Sequence, residues 1–311
     1  MMVVSDIDLR LLRVFRAVVE SGGFSNAQAI LNVGPSTIST QMSQLETRLG
    51  FSLCQRGRSG FRLTPEGEAL YRHVVALFQS VQGFQAQAAE LKGGLAGTLT
   101  IGFIDNLITD LDCPLQEALK SFVEQPRNSV QVILEVLSPA EIEKGLLDQS
   151  LDAGVGIFLH QLPGLTYTPL YRERDVLLCH RNHPLAAVDD PKMLARAIRS
   201  ARKVMRGFMG VEEFPFQEDT GSVAAKVTSL EAAAMMILTG SYIGFLPKHY
   251  ARPWLDSGEL VALLPNKFMH YSELFLVTRM QRTPASSALE AFLQCMQAQQ
   301  FPGCTDIVHE G

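Results

Sequence analysis

Apolar residues in the first 50 positions recur at three- and four-residue intervals. Leu9, Leu12, Phe15, Val18 and Val19 mark one face of a helix that Ser21-Gly22-Gly23 should end. A second short helix is expected from about Ser25 to Leu31. Gly34-Pro35 follows, and Pro suits a first helical position, where its missing N–H would have no partner anyway. The third helix turns Ile38, Met42, Leu45 and Leu49 inward.

After Gly50 the pattern shortens. "FSLCQRGRSGFRLT" reads as two brief strands around Gly57-Arg58-Ser59-Gly60, a hairpin or wing. From Pro65 one long helix is expected, with Leu70, Val74, Leu77, Val81, Phe84, Ala88 and Leu91 in an unbroken heptad seam. One helix cannot bury such a stripe by itself, so the seam is a candidate dimerisation surface.

Beyond "GTLTIGF" short apolar strands alternate with amphipathic helices. "VQVILEVL", "SPAEIEKGLLDQS" and "LDAGVGIF" form one block, and a second spans roughly 173–270, from "DVLLCH" through "LEAAAMMILTG" to "YIGFLP". The alternation indicates βαβ units and a mostly parallel sheet. Ser138 with Glu141, and Thr228 with Glu231, have capping-box spacing. "SELFLVTR" and a helix after Thr283-Pro284 return the chain to the first block.

Three short helices with a tight turn before the third describe a helix-turn-helix, whose last helix enters the major groove. Pro35, Ser36, Thr37, Ser39, Thr40 and Gln41 stand at its N-terminal end, where hydroxyls and amides can meet base edges and phosphates. Arg56, Arg58 and Arg62 on the wing are placed for backbone phosphates, contacts that fix register. Charge agrees. The chain carries a net −5, yet residues 1–92 hold nine Lys/Arg against seven Asp/Glu, leaving 18 against 25 for the rest. Within 47–64 there are four arginines, Arg48 among them, and no acid.

These segments resemble the LysR-type transcriptional regulators. The likeness lies in "LRLLRVFRAVVESGGFSNAQAIL", "GPSTISTQMSQLETRLG" and "LCQRGRSGFRLTPEGEAL", with Ser39, Leu45-Glu46, Leu49-Gly50, Arg56 and Leu63-Thr64 with Gly67 in the family's recurring places. Gln28, Gly34 and Cys54 depart from it. "LDAGVGI", "NHPLA" and "GSYIGFLP" extend the likeness over nearly the whole chain. The resemblance implies an α/β protein with an N-terminal winged helix-turn-helix and long linker helix, then two Rossmann-like lobes of periplasmic-binding-protein type. The expected domains are a DNA-binding domain at 1–64, a linker and dimerisation helix at 65–92, and an effector-binding domain at 93–311. Within the last, lobe I is 96–172 with 271–303 and lobe II is 173–270.

Ligands of open α/β sheets bind outside the carboxyl ends of strands. That rule selects Asp105, Asn106, Ser138, Phe158, His160, Arg206, Phe208, Thr228 and Ser229 as effector-site candidates. A carboxylate at Asp105 disfavours an anionic effector unless Arg206 pairs with it. Lys192, Arg196, Arg199, Arg202, Lys203 and Arg206 form a basic cluster best read as a solvated face. "CHRNH" at 179–183 has no accompanying thiol pair or carboxylate, so no metal and no cofactor are expected. Cys54, Cys113, Cys179, Cys295 and Cys304 are odd in number and scattered, as reduced thiols would be.

No GxSxG, HExxH or phosphate-loop motif occurs, which argues against an enzyme. No apolar run reaches the length of a bilayer span, and the N-terminus mixes Asp and Arg where a signal peptide is apolar, so no membrane partner and a cytoplasmic location are expected. The expected partners are double-stranded DNA, an unidentified small-molecule effector and a second copy of the chain, in a dimer or tetramer, with the transcription machinery as a further candidate. The rival expectation is a small-molecule receptor whose helical N-terminus serves assembly alone.

Overall fold

The computed structural model describes residues 5–57, 60–90, 94–207, 223–280 and 286–299. The chain divides into two compact units, Met1–Gln85 and Ala86–Gly311.

In the first unit α1 (Asp6–Glu20), α2 (Phe24–Leu31) and α3 (Pro35–Leu49) precede an antiparallel hairpin of β1 (Cys54–Gly57) and β2 (Gly60–Leu63), then α4 (Pro65–Glu90). Leu11, Phe15 and Val18 of α1 meet Ile38, Met42 and Leu45 of α3 in one core that also takes Val74 and Phe78. Phe15 and Tyr71 pack edge to face at 6.4 Å. The "LTPEG" motif has a local cause. Thr64 Oγ1 donates to Ser52 O at 2.8 Å and accepts from Gly67 N at 3.0 Å, capping α4. A Cβ on Gly67 would lie 2.0 Å from Leu53 O, so only glycine lets α4 start this close to the chain entering the wing.

The second unit is built on a seven-stranded sheet. Its strands are β3 (Thr98–Phe103), β4 (Gln131–Val136), β5 (Ala153–Ile157), β6 (Leu165–His180), β9 (Gly244–Pro247), β10 (Leu260–Ala262) and β11 (Met269–Arg279). The order is β10-β6-β11-β5-β3-β4, with β9 also on β6; β7 (Lys203–Arg206) and β8 (Val223–Val227) form a separate parallel pair. The helices are α5 (Leu115–Val123), α6 (Pro139–Leu147), α7 (Pro191–Ser200), α8 (Leu230–Leu238), α9 (Lys248–Asp256) and α10 (Ser287–Ala298).

The mostly parallel sheet expected from sequence is corrected here. Among the named strands of the described residues, β3–β4, β3–β5 and β7–β8 are the parallel pairs, whereas β6 and β11 pair antiparallel along 11 registered positions. Both are long because each passes from one lobe into the other. At the lobe I end they join the core of Ile101, Phe122, Ile142, Val155, Leu274 and Phe292. In lobe II both faces of β6 are covered: Val176 and Leu178 pack with Ile237 and Leu246 on one side, Leu177 and Cys179 with Ile198 and Ile243 on the other. "DVLLCH" is therefore the far half of one 16-residue strand rather than the start of a new block.

Candidate functional site

Asn32 closes α2 in the left-handed conformation, φ 52°, with its N–H donating to Gln28 O at 2.8 Å. Only Val33 and Gly34 then separate α2 from α3, and Pro35 opens α3 as expected. The N-cap residue is Gly34, so the N-cap supplies no side-chain acceptor to the first turn of α3. Pro35, Ser36, Thr37 and Thr40 are exposed around that end; Ser39 and Gln41 are half-buried. Thr40 Oγ1 donates to Ser36 O at 2.9 Å, leaving its lone pairs outward. An uncapped helix end ringed by hydroxyls suits an anionic, hydrogen-bonding partner.

On the wing Arg62 is exposed; the Arg56 side chain and all of Arg58 lie outside the described residues. Arg48, counted with the basic stretch from sequence, has a different role. Its Nε bonds Asp8 Oδ1 and its Nη2 donates to Asp8 Oδ2 at 2.9 Å, tying the end of α3 to the start of α1. Asp8 also accepts from Ser5 N at 2.8 Å. The Arg48 guanidinium and the Ser5 donors hold the Asp8 pKa down at about 2. Glu46 is equally structural, accepting from Leu53 N at 2.7 Å where the wing begins.

In the second unit some of the candidate residues at strand ends are neighbours. Leu137 N donates to Phe103 O at 2.9 Å, which sets Ser138 beside the segment after β3. Arg206 stands opposite Val227 across β7 and β8, next to Thr228 and Ser229. Asp105 spans the lobes: its Oδ2 accepts from Leu230 N at 2.6 Å, at the N-terminus of α8, where a carboxylate also meets the positive end of the helix dipole. Asn106 follows in the left-handed region, φ 66°, leading into a 3-10 turn at Leu107–Thr109.

Below that contact is a cluster of ionisable groups. Tyr171, Glu173 and Asp175 alternate with Arg172 and Arg174 along β6, so the first three share its buried face. Ser272 of β11 donates to Asp175 Oδ2 at 2.7 Å. His249, in the first turn of α9, places Nε2 at 2.8 Å from Glu173 Oε1 and 3.5 Å from Asp110 Oδ2. Burial and the charge of Glu173 push the Asp175 pKa up, opposed by Arg206. For His249 burial acts downward, but the Glu173 hydrogen bond and the charges of Glu173, Asp110 and Asp175 outweigh it, and the net shift is upward. Burial and the Arg206 charge both lower the pKa of His270. Arg206 thus acts toward Asp175 and His270.

Several sequence expectations need correction. Phe158 is a lobe I core residue, packed edge to face on Tyr167 at 5.5 Å, because the strand end it occupies turns inward. His160 is exposed in the following turn. Ser138 accepts from Glu141 N at 3.4 Å in the expected capping box. The cap of α8 is Ser229, which accepts from Ala232 N at 3.2 Å, one residue after the expected Thr228, which is exposed. Phe208 lies outside the described residues. The heptad seam divides: Leu70, Val74 and Leu77 pack into the chain's own helical core, while Phe84 is 71% exposed, Ala88 is exposed and Val81 half-buried. Leu91 is not among the described residues.

The basic cluster also divides. Lys192, Arg196 and Arg199 are exposed; Arg202 stacks on Tyr242 at 4.5 Å; Lys203 is buried, donating to Arg199 O at 2.7 Å; Arg206 is buried. In "CHRNH", His180 and His183 accept from Asn182 N and Leu185 N and shape their own turn. Asp110, Glu173 and His249 were not singled out from sequence, and only the alternation of charge and aromatic through "YRERD" hinted that a strand face was involved.

A winged helix-turn-helix unit followed by a two-lobed α/β unit is the plan of a ligand-responsive DNA-binding regulator, and the comparisons place the chain in that class. Residues 9–68 match the family described as "Bacterial regulatory helix-turn-helix protein, lysR family", and residues 92–300 match the "LysR substrate binding domain". The HTH-type transcriptional activator BauR of Pseudomonas aeruginosa is 39% identical over 293 residues, covering 94% of this chain and 95% of that protein. PunR of Escherichia coli K12, an HTH-type transcriptional regulator, is 27% identical over 277 residues, 83% of each chain. Among solved structures, full-length CbnR complexed with its target DNA aligns with a TM-score of 0.62 at 19% identity over 93% of this chain and 98% of that one. ArgP from Mycobacterium tuberculosis gives 0.60 at 18%, over 94% and 98%. The chain belongs to the LysR family: it is a DNA-binding transcriptional regulator with an effector-binding domain. No helix among the described residues is long and apolar enough to cross a membrane.

Proposed function

We propose that this protein is a transcriptional activator, working inside the cell and without catalysis, that reads an interrupted palindrome with two copies of α3. Residues 1–64 carry the DNA contacts, 65–92 carry self-association, and 93–311 carry the effector domain. The observation that carries this reading is the uncapped, exposed N-terminus of α3 with Pro35, Ser36, Thr37 and Thr40 around it. Ser36, Thr37, Ser39, Thr40 and Gln41 supply base and phosphate contacts, and Arg56, Arg58 and Arg62 supply phosphate contacts from the wing. The high identity to an activator supports the direction of control.

Val81, Phe84 and Ala88 form the part of the seam left for a second copy. An exposed phenylalanine in the glutamine-rich second half of α4 gains most by pairing. A small molecule bound among Asp105, Asn106, Ser138, Arg206, Thr228 and Ser229 would shift the protein only by favouring one lobe arrangement over another. The Asp105–Leu230 hydrogen bond is the contact through which it does so, since a ligand at these strand ends must either complete it or compete with it.

The test is DNA retention by the full chain on the region upstream of its own gene, in a salt series against random DNA, with Phe84→Glu compared in sedimentation. Retention that falls steeply with salt and prefers the upstream region, together with a smaller sedimenting species for Phe84→Glu, is the expected result. Equal retention of both DNAs would favour an assembly role for the helical unit.

A further inference from the structure

Asp110, Glu173 and His249 come from three parts of the effector unit: the turn after β3, the crossover strand β6, and the first turn of α9. One ligand atom from each lies within 4.8 Å of the others. The other side of the His249 ring decides what can sit between them. Nδ1 is 2.8 Å from Thr109 Oγ1, which also lies 3.2 Å from Asn106 O. With the Thr109 hydrogen directed to Asn106 O, the hydroxyl accepts from Nδ1–H and Nε2 is left as the ligand atom. Nε2 faces the Glu173 carboxylate, 2.8 Å from its Oε1.

A second observation concerns Glu173 itself. Its side chain is only 3% exposed, and its other oxygen, Oε2, is buried with no hydrogen-bond partner. Around it stand Asp110 and Asp175, with Arg206 the guanidinium acting on the group. A bound divalent ion would give Oε2 the partner it lacks.

We propose that Asp110, Glu173 and His249 bind a divalent first-row transition metal ion that fastens lobe I to lobe II through the crossover strand. One imidazole and two carboxylates, with positions left for water, suit Mn2+, Fe2+, Co2+ or Zn2+. Donors about 2.1 Å from such an ion sit roughly 3 Å from one another, and the observed 2.8 and 3.5 Å bracket that value. Thr109 is a positioning residue, fixing the ring tautomer as outer partners of metal-bound histidines do. On binding, Nε2 gives its lone pair to the metal, and where the ring was doubly protonated its Nε2 proton passes to solvent. The role in control rests on the regulator reading above; the binding does not.

The test uses the full chain, stripped with a chelator and titrated without DNA by calorimetry with Mn2+ and by visible absorption with Co2+. One ion per chain is expected. Asp110→Asn and His249→Gln should weaken binding by at least tenfold, Thr109→Val by about 10- to 100-fold, and His180→Gln should leave it unchanged. Thr109→Val, on an exposed side chain, decides the matter where the other variants unfold. No saturable binding by the wild type, or unaltered binding in Thr109→Val and in whichever ligand variants fold, overturns the site. Metal binding with no preference for any DNA sequence would instead sink the regulator reading and leave the site standing.

Discussion

Replacing Asp105 by alanine removes the hydrogen bond that joins the segment after β3 to the N-terminus of α8. A hydrogen bond to a charged group contributes about 1.5–3 kcal/mol, and a carboxylate at a helix N-terminus roughly 0.3–1 kcal/mol more. Asp105 is half-buried, so water recovers part of that, and about 2 kcal/mol is a reasonable net value. At about 1.4 kcal/mol per factor of ten, the lobe-closing equilibrium moves roughly 30-fold toward open. Amide hydrogen exchange reads this directly, because the Leu230 N–H is the donor released. In chelator-treated buffer, exchange at Leu230 should accelerate by about that factor in Asp105→Ala, while Ile101 in the middle of β3 keeps its protection. Asp105→Asn keeps a neutral acceptor worth about 1 kcal/mol and should show an intermediate effect. An unchanged Leu230 rate, or an equal rise at Ile101, would refute the idea that this bond holds the lobes together.

Further outcomes follow from other parts of the chain. Gly67→Ala forces a Cβ against the Leu53 carbonyl, and overpacking of this kind should cost about 1–3 kcal/mol, seen as earlier denaturant unfolding of the helical unit. Asp8 has a folded pKa of about 2, below its ordinary value, so its pairing with Arg48 stabilises fully above the unfolded value of 3.8 and fades as pH falls toward 2. Asp8→Asn should remove that part of the acid dependence in a pH series of thermal melts. On DNA, Arg62→Ala should weaken binding to all sequences alike and reduce the salt slope by about one, whereas Thr40→Ala should chiefly narrow the gap between specific and random DNA.

The helical unit was legible because its core obeys a single period. Ile38, Met42 and Leu45 at three- and four-residue spacing are all fully buried, and Gly34-Pro35 marks the start of α3 to the residue. The crossover strands were not legible as single strands. "YRERD" looks like a solvated break, but in an extended chain its charges alternate between faces, and Glu173 and Asp175 are buried while Arg172 is exposed. α9 was missed because an internal Pro253 and the charges of "KHYARPWLD" mask the helical spacing of Tyr250, Ala251, Trp254 and Leu255, which pack into one core. The candidate effector residues at strand ends could be placed by topology alone, yet Phe158 shows that a strand end can turn into the core. Beyond the alternation in "YRERD", the Asp110, Glu173, His249 group had no sequence signal, since His249 lies 76 residues beyond Glu173 and only the folded lobes bring them together.

The most direct test of the central claim is selection of binding sites from a randomised duplex pool by the full-length chain at physiological salt. An enriched interrupted palindrome is expected, its half-sites separated by whole helical turns of about 34 Å each, with the half-site preference blunted in Thr40→Ala and the spacing requirement lost in Phe84→Glu. A pool that stays random through successive rounds while still binding the protein would contradict it.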